Sequence, residues 1–275
     1  NGMPDHVINK NEILVAGFLQ KPAAVRHANG RDWWILVSDV DEGKHYRFLL
    51  TSNGFSQAMV QETGHKPPVV GIGTDWNSLG KFSSDGRYYA DVHPFNGLTL
   101  YNFDRCSGLL SYKSDINFFL NTPKEKFIGG GGVDFSYDGH YLYLTGSSQV
   151  TFHPAYNPIL YGTVLQYDLE DEQIAFSADT LTSRRQEIKG FNDLKEYMLG
   201  SVIGADGRIY IIHQILSDSF GFGYSYSSIQ YPEKKGKESQ FAYHRPNFKN
   251  TIFEGIPYLP NYRLGPLDGS PCDTL

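Results

Sequence analysis

The sequence predicts an all-β fold, a β-propeller built from four-stranded antiparallel blades. Three observations carry that expectation. A strand–turn–strand phrase centred on Asp-Gly recurs at Asp85-Gly86, Asp138-Gly139 and Asp206-Gly207. Asp-Gly supplies the positive backbone angles of a tight two-residue hairpin turn. A second phrase, an alternating strand ending in Asp, follows the first two copies at Leu98–Asp104 and Val164–Asp168. Two hairpins per repeat make a four-stranded unit, the building block of a propeller blade. Finally, the chain carries 19 Tyr and 18 Phe, and flat rings of that kind pack well on a pleated surface.

Read in order, the chain opens with a strand at Glu12–Leu19 and a first blade at roughly 23–65. That blade includes strands Trp33–Val37 and Tyr46–Leu50 and a turn at Asn53-Gly54. The three Asp-Gly copies follow, 53 and 68 residues apart. The longer gap is assigned to an inserted loop over 146–160. Helix is scarce; Thr180–Met198 is expected to be loop with one turn, and a partial blade is expected around 249–275. The count is about five blades or blade equivalents, either a compact five-bladed ring or part of a seven-bladed one. Residues 1–275 form one propeller domain, with 266–275 beginning an exit linker.

Composition excludes some functions. A formal net charge of -6 argues against a nucleic-acid partner, which needs a basic face to neutralise phosphates. Lys234, Lys235 and Lys237 cluster in what reads as a solvated loop tip. No apolar run approaches the roughly 20 residues of a membrane helix. The start at Asn1 rather than Met suggests a processed or excised chain. Cys106 and Cys272 form either one long-range disulfide or two free thiols.

Three phrases carry a family resemblance: His27-Ala-Asn-Gly-Arg-Asp-Trp-Trp34, Phe103-Asp-Arg-Cys-Ser-Gly-Leu-Leu110, and Ile256–Asp273. They resemble secreted Bacteroidota proteins that pair a WD-repeat-like β-propeller with a C-terminal type IX secretion sorting tail. The resemblance implies an extracellular or cell-surface location, further blades before Asn1 and a sorting region after Leu275. In a secreted protein it also favours pairing of Cys106 with Cys272. It supplies no reaction and no ligand residues.

The candidate ligand site is His27, Arg31, Asp32, Trp33 and Trp34. Aromatic faces stack on sugars or cations, and Arg presents a planar donor fork to carboxylates. The structural alternative makes Asn29-Gly30 a turn, the polar residues struts and the tryptophans core. The Asp-Gly pairs repeat as turn chemistry does, and neither Asp39–Glu42 nor Asp168–Glu172 matches a calcium loop. Gly129–Gly132 precedes a strand rather than a helix, so it reads as close backbone approach rather than a phosphate cradle. The histidines, among them His93, His153, His213 and His244, show no metal-ligand spacing. The run Phe220–Ser228 reads as an adaptable contact loop. No nucleophile elbow or zincin motif is present, and no catalytic residue, metal or cofactor is assigned. The expected function is a noncatalytic binding or scaffold module for a glycan or protein. The alternative is a propeller hydrolase, lactonase or lyase working at the channel mouth through His27, Arg31 and Asp32.

Overall fold

A computed structural model describes residues 12–17, 22–39, 43–63, 79–93, 97–116, 126–150, 159–187, 195–217, 221–243 and 260–272. The chain is an all-β propeller, and the described residues hold four antiparallel sheets in sequence order. Blade one comprises β1 (Ala23–Arg26), β2 (Trp33–Ser38), β3 (Lys44–Thr51), β4 (Gly54–Phe55) and β5 (Met59–Glu62). Strands β4 and β5 pair with opposite ends of β3, so they act as one interrupted outer strand. Blade two is β6 (Leu79–Phe82), β7 (Tyr88–His93), β8 (Gly97–Phe103) and β9 (Leu110–Ile116). Blade three is β10 (Lys126–Phe135), β11 (Tyr141–Val150), β12 (Ile159–Asp168) and β13 (Asp179–Glu187). Blade four is β14 (Lys195–Ile203), β15 (Ile209–Ser217), β16 (Gly221–Ile229) and β17 (Phe241–Ala242). The first strands β1, β6, β10 and β14 pack on one another in that order, as the inner strands of a propeller do.

Strand alternation explains how the blades hold together. Successive side chains point to opposite faces of a sheet. In β7, Tyr88, Ala90 and Val92 face blade three, while Tyr89 faces blade one. In β11, Leu142 and Leu144 pack toward blade two, and Tyr141 and Tyr143 toward blade four. Strand β8 sends Leu98 and Leu100 one way but Tyr101 and Phe103 the other. Plain alternation along β8 accounts for this, because the register shift between Leu100 and Tyr101 skips Lys113 and so places the extra residue in β9.

The Asp-Gly turns have a common build, longer than the two-residue hairpin the sequence suggested. The Ser83 and Ser136 N–H groups donate to the carbonyls of Tyr88 and Tyr141, five residues on. The Gly86 and Gly139 N–H groups return to Ser83 and Ser136. The Asp85 and Asp138 carboxylates accept from their own serine hydroxyls and from the N–H groups of Arg87 and His140. The third copy keeps the Gly207–Gly204 and Arg208–Asp206 bonds with glycine in the serine position. His27–Asp32 is a fourth copy. His27 donates to Asp32, Gly30 donates to His27, and Asn29 takes the aspartate's role toward Arg31. All four glycines hold left-handed φ angles of 68°, 74°, 71° and 80°, a conformation that costs other residues roughly 1–2 kcal/mol.

Several expectations are corrected. Residues 12–17 form no strand, and 260–272 run as turns and extended chain rather than blade strands; 18–19 and 249–259 lie outside the described residues. Four blades are therefore described rather than about five. Most of the expected 146–160 loop on its described side is strand, since β11 reaches Val150 and β12 begins at Ile159. Thr180–Met198 contributes to β13 and β14, and Phe220–Ser228 supplies β16 from Gly221 onward. Pairing to a neighbouring strand overrides weak local propensity in each case. Close approach at Gly132 is borne out: a side chain there would strike the Ser201 backbone of blade four. The turn expected at Asn53-Gly54 falls one residue earlier, at Ser52-Asn53, with Gly54 opening β4, and Lys234, Lys235 and Lys237 are exposed. His153, His244 and Val40–Glu42 lie outside the described residues.

Two outcomes are expected. Gly207→Ala meets no atom within 4 Å, whereas a Gly86 Cβ would lie 2.8 Å from Arg105 Cδ and 3.0 Å from Val25 Cγ2. Gly207→Ala should therefore cost about 1–2 kcal/mol and Gly86→Ala distinctly more in urea unfolding; equal costs would refute the packing account. Burial also pushes the Tyr167 hydroxyl up to about 12, and those of Tyr89, Tyr101 and Tyr143 upward as well. Unfolded tyrosine ionises near 10. The native state therefore keeps these protons longer, and stability should fall as pH rises from about 10 through 12. An absorbance titration at 295 nm should show this group ionising only together with loss of the fold.

Candidate functional site

The five residues singled out in the sequence part company in the structure. His27 is buried, with Nδ1 accepting from the Asn29 N–H at 3.1 Å and Nε2 at 3.0 Å from the Cys106 carbonyl. With Nδ1 accepting, the ring hydrogen that meets the Cys106 carbonyl is the one on Nε2. Asp32 accepts from the Asn29 amide at 2.7 Å, and Arg31 is exposed. Trp34 is buried and donates its indole N–H to the Arg105 carbonyl at 2.9 Å. These groups serve the first turn and its junction with blade two. Trp33 differs. Its ring lies under the Arg26 guanidinium at 4.6 Å and meets the Tyr262 ring edge-on at 5.5 Å.

Tyr262 belongs to a strap, residues 260–272, that crosses the ends of blades one and two. Cys272 is disulfide-bonded to Cys106, with the Cα atoms 5.6 Å apart. The Arg105 guanidinium is the strap's main polar anchor. It donates to the carbonyls of Gly265 at 2.6 Å, Arg26 at 2.9 Å and His27 at 3.2 Å. The Leu267 N–H donates to Ala28, Asn261 Nδ2 to Ser84 and Arg26 to Tyr262, in each case to the carbonyl. Leu264 packs on the apolar cluster between blades one and two. One segment thus closes both polar and apolar contacts across two blades.

The strap also completes a cavity of about 360 Å³. Its walls are the ends of the inner strands β1, β6 and β10, residues Ile203–Ala205 at the end of β14, and Pro260–Arg263. This is the axial opening of the propeller on the side of the Asp-Gly turns. Lys81 and Asp134 form an ion pair of 2.6 Å in its wall, almost wholly buried. Burial raises the Asp134 carboxyl pKa above the usual carboxylate range, against the opposing pull of Lys81 and Ser201. At the opening stand two aromatic rings, Tyr137 at 60% and Tyr262 at 59% exposure. Arg263 is exposed beside them.

Other ionisable pairs lie away from this opening. His45 and Asp91 meet at 3.1 Å, and His213 and Glu196 at 2.9 Å, all four side chains buried. Among the described residues no group of three or more His, Cys, Asp or Glu side chains has the proximity to hold a metal ion. Sequence reading missed Lys81, Asp134, Tyr137, Tyr262 and Arg263. Aligning the four turns would have exposed the first three. Two residues before each turn stand Val25, Lys81, Asp134 and Val202, and its second position holds Ala28, Ser84, Tyr137 and Ala205. The opposite charges and the single large ring are the odd members of those sets.

No protein-family model matches the chain, and no curated protein does. Solved structures similar to it include a thermostable family-43 glycoside hydrolase, at 10% identity over 78% of this chain and 70% of that one, TM-score 0.42. Another is an α-L-arabinofuranosidase from Podospora anserina, at 11% identity over 80% of this chain and 66% of the other, TM-score 0.38. An oligogalacturonate lyase from Vibrio parahaemolyticus matches at 13% identity over 77% of this chain and 58% of its own, TM-score 0.36. The fold assignment rests on the strand order and blade packing described above.

Removing the staple should be costly. The disulfide closes a loop spanning 166 positions, and loss of such a native bond typically costs about 2–5 kcal/mol. Cys272→Ser should lower the unfolding free energy by that order. Alkylation of the native protein should label no thiol until a reductant is added; labelling without reduction would refute the bond.

Proposed function

We propose that this protein is an exported, noncatalytic β-propeller module that binds a glycan at the axial opening. The observation that carries this reading is the pair of exposed rings, Tyr137 and Tyr262, standing at the rim of a preformed cavity of about 360 Å³. Exposed aromatic faces beside a concave site give sugar rings flat apolar contact, with a hydroxyl at hand for hydrogen bonding. The ionisable groups in the wall support binding rather than turnover. Lys81 and Asp134 neutralise each other at 2.6 Å, and His27 and Asp32 are engaged within their turn.

Export is supported by the disulfide, since such bonds persist in oxidising compartments. The resemblance to secreted Bacteroidota propellers adds the type IX route and a cell-surface or extracellular location. No helix among the described residues is long and apolar enough to cross a membrane.

A thermal-shift screen against a glycan panel tests the reading. A ligand present at 100 times its dissociation constant should stabilise the fold by about 2.7 kcal/mol. Tyr137→Ala and Tyr262→Ala should each weaken a hit roughly two- to tenfold. Phe176→Ala, on a ring 76% exposed and outside the cavity lining, should not. A flat panel, or a hit indifferent to both tyrosines, would overturn the site; cleavage of the bound glycan would overturn the noncatalytic reading.

A further inference from the structure

We infer that the axial opening is selective for a carboxylated glycan, a uronate-bearing chain, and that Arg263 reads the carboxylate. The inference rests on the glycan-binding reading above and concerns what kind of glycan the site takes. It begins with the charges around the opening. Lys81, the cation in the wall, is matched by Asp134 at 2.6 Å. The arginines packed nearby are also spent. Arg26 and Arg105 donate to backbone carbonyls of blade one and the strap, and Arg87 pairs with Asp85. Arg263 is different: its guanidinium has no hydrogen-bond or ion-pair partner among the described residues, only its backbone N–H being engaged. Among the described residues that line the opening, Arg263 is thus the unmatched cation, in a chain whose formal net charge is -6.

Its backbone is held for the purpose. The Arg263 N–H donates to Asn261 Oδ1 at 3.0 Å, and the Leu264 N–H to the Asn261 carbonyl at 3.3 Å. The Asn261 amide in turn donates to the Ser84 carbonyl at 2.8 Å, tying this turn to blade two. Tyr262, the adjacent residue, is steadied by Trp33. A ring for the sugar and a planar fork for its acid group thus leave neighbouring positions on one anchored turn. Guanidinium matches carboxylate with two parallel hydrogen bonds, a geometry that ammonium does not reproduce.

Titration calorimetry with trigalacturonate and its fully methyl-esterified form tests this, because the two differ only in the acid groups. Trigalacturonate should bind at least about tenfold tighter, a charge-assisted hydrogen bond being the difference. Arg263→Gln should erase that preference without moving the melting temperature, and Arg263→Lys should restore only part of it. Equal affinity for acid and ester, both weakened by Tyr262→Ala, would overturn the carboxylate reading and leave the glycan site standing. Failure of both probes, while a neutral glycan from the panel binds, would overturn it likewise. Tighter binding of tri-glutamate than of trigalacturonate would assign the cation to an acidic peptide instead. A panel with no hit at all would remove both readings together.

Discussion

A four-stranded sheet with apolar side chains on both faces is an unfinished object, and this constraint governs the protein. Blades two and three make it visible. Tyr89 leaves one face of β7 while Ala90 and Val92 leave the other, and Leu142 and Tyr143 divide in the same way in β11. Each blade is the other half of its neighbours' cores, so stability is a property of the interfaces rather than of single sheets. The fully buried rings of Tyr89, Tyr101 and Tyr143 fall at those interfaces. All three hydroxyls find partners on other blades or loops, Tyr89 with Ser38, Tyr101 with Thr63 and Tyr143 with the Pro232 carbonyl.

Much of this was legible in the sequence because turn chemistry is local. Asp-Gly marks a tight entry into the left-handed region, and three of the four turns between the first and second strands of the blades were marked that way. The fourth was hidden by substitution. Asn29 and His27 stand where aspartate and serine stand in the turns of blades two and three, so His27–Trp34 read as a distinct motif instead of the first repeat. Strands without an adjacent turn cue were harder. Residues Asp179–Glu187 and Gly221–Ile229 owe their extended form to partners many residues away, through pairings such as Val164 with Thr182 and Ile212 with Tyr226.

The candidate site was less legible, for a related reason. Tyr137, Lys81 and Tyr262 come from a turn, an inner strand and the strap, and only the packing of successive blades brings them to one opening. No spacing rule encodes such a set. Trp33 was singled out and does lie against the opening through Tyr262; of its companions, His27 and Trp34 hold blade one to blade two, Asp32 braces its own turn and Arg31 is exposed. Aligning the repeats internally recovers part of the missing information, since a charge or a ring at a position otherwise small and neutral stands out.

The bond between Cys106 and Cys272 also has a bearing on time. A polypeptide made or exported from its N-terminus presents Cys106 long before Cys272, with blades three and four in between. Blades one and two can pack early, but the strap that locks their ends arrives last. The rim that includes Tyr262 and Arg263 arrives with it. A partly emerged chain therefore has an axial cavity walled by the blades alone, and its rim is finished only when the segment carrying Cys272 joins Cys106.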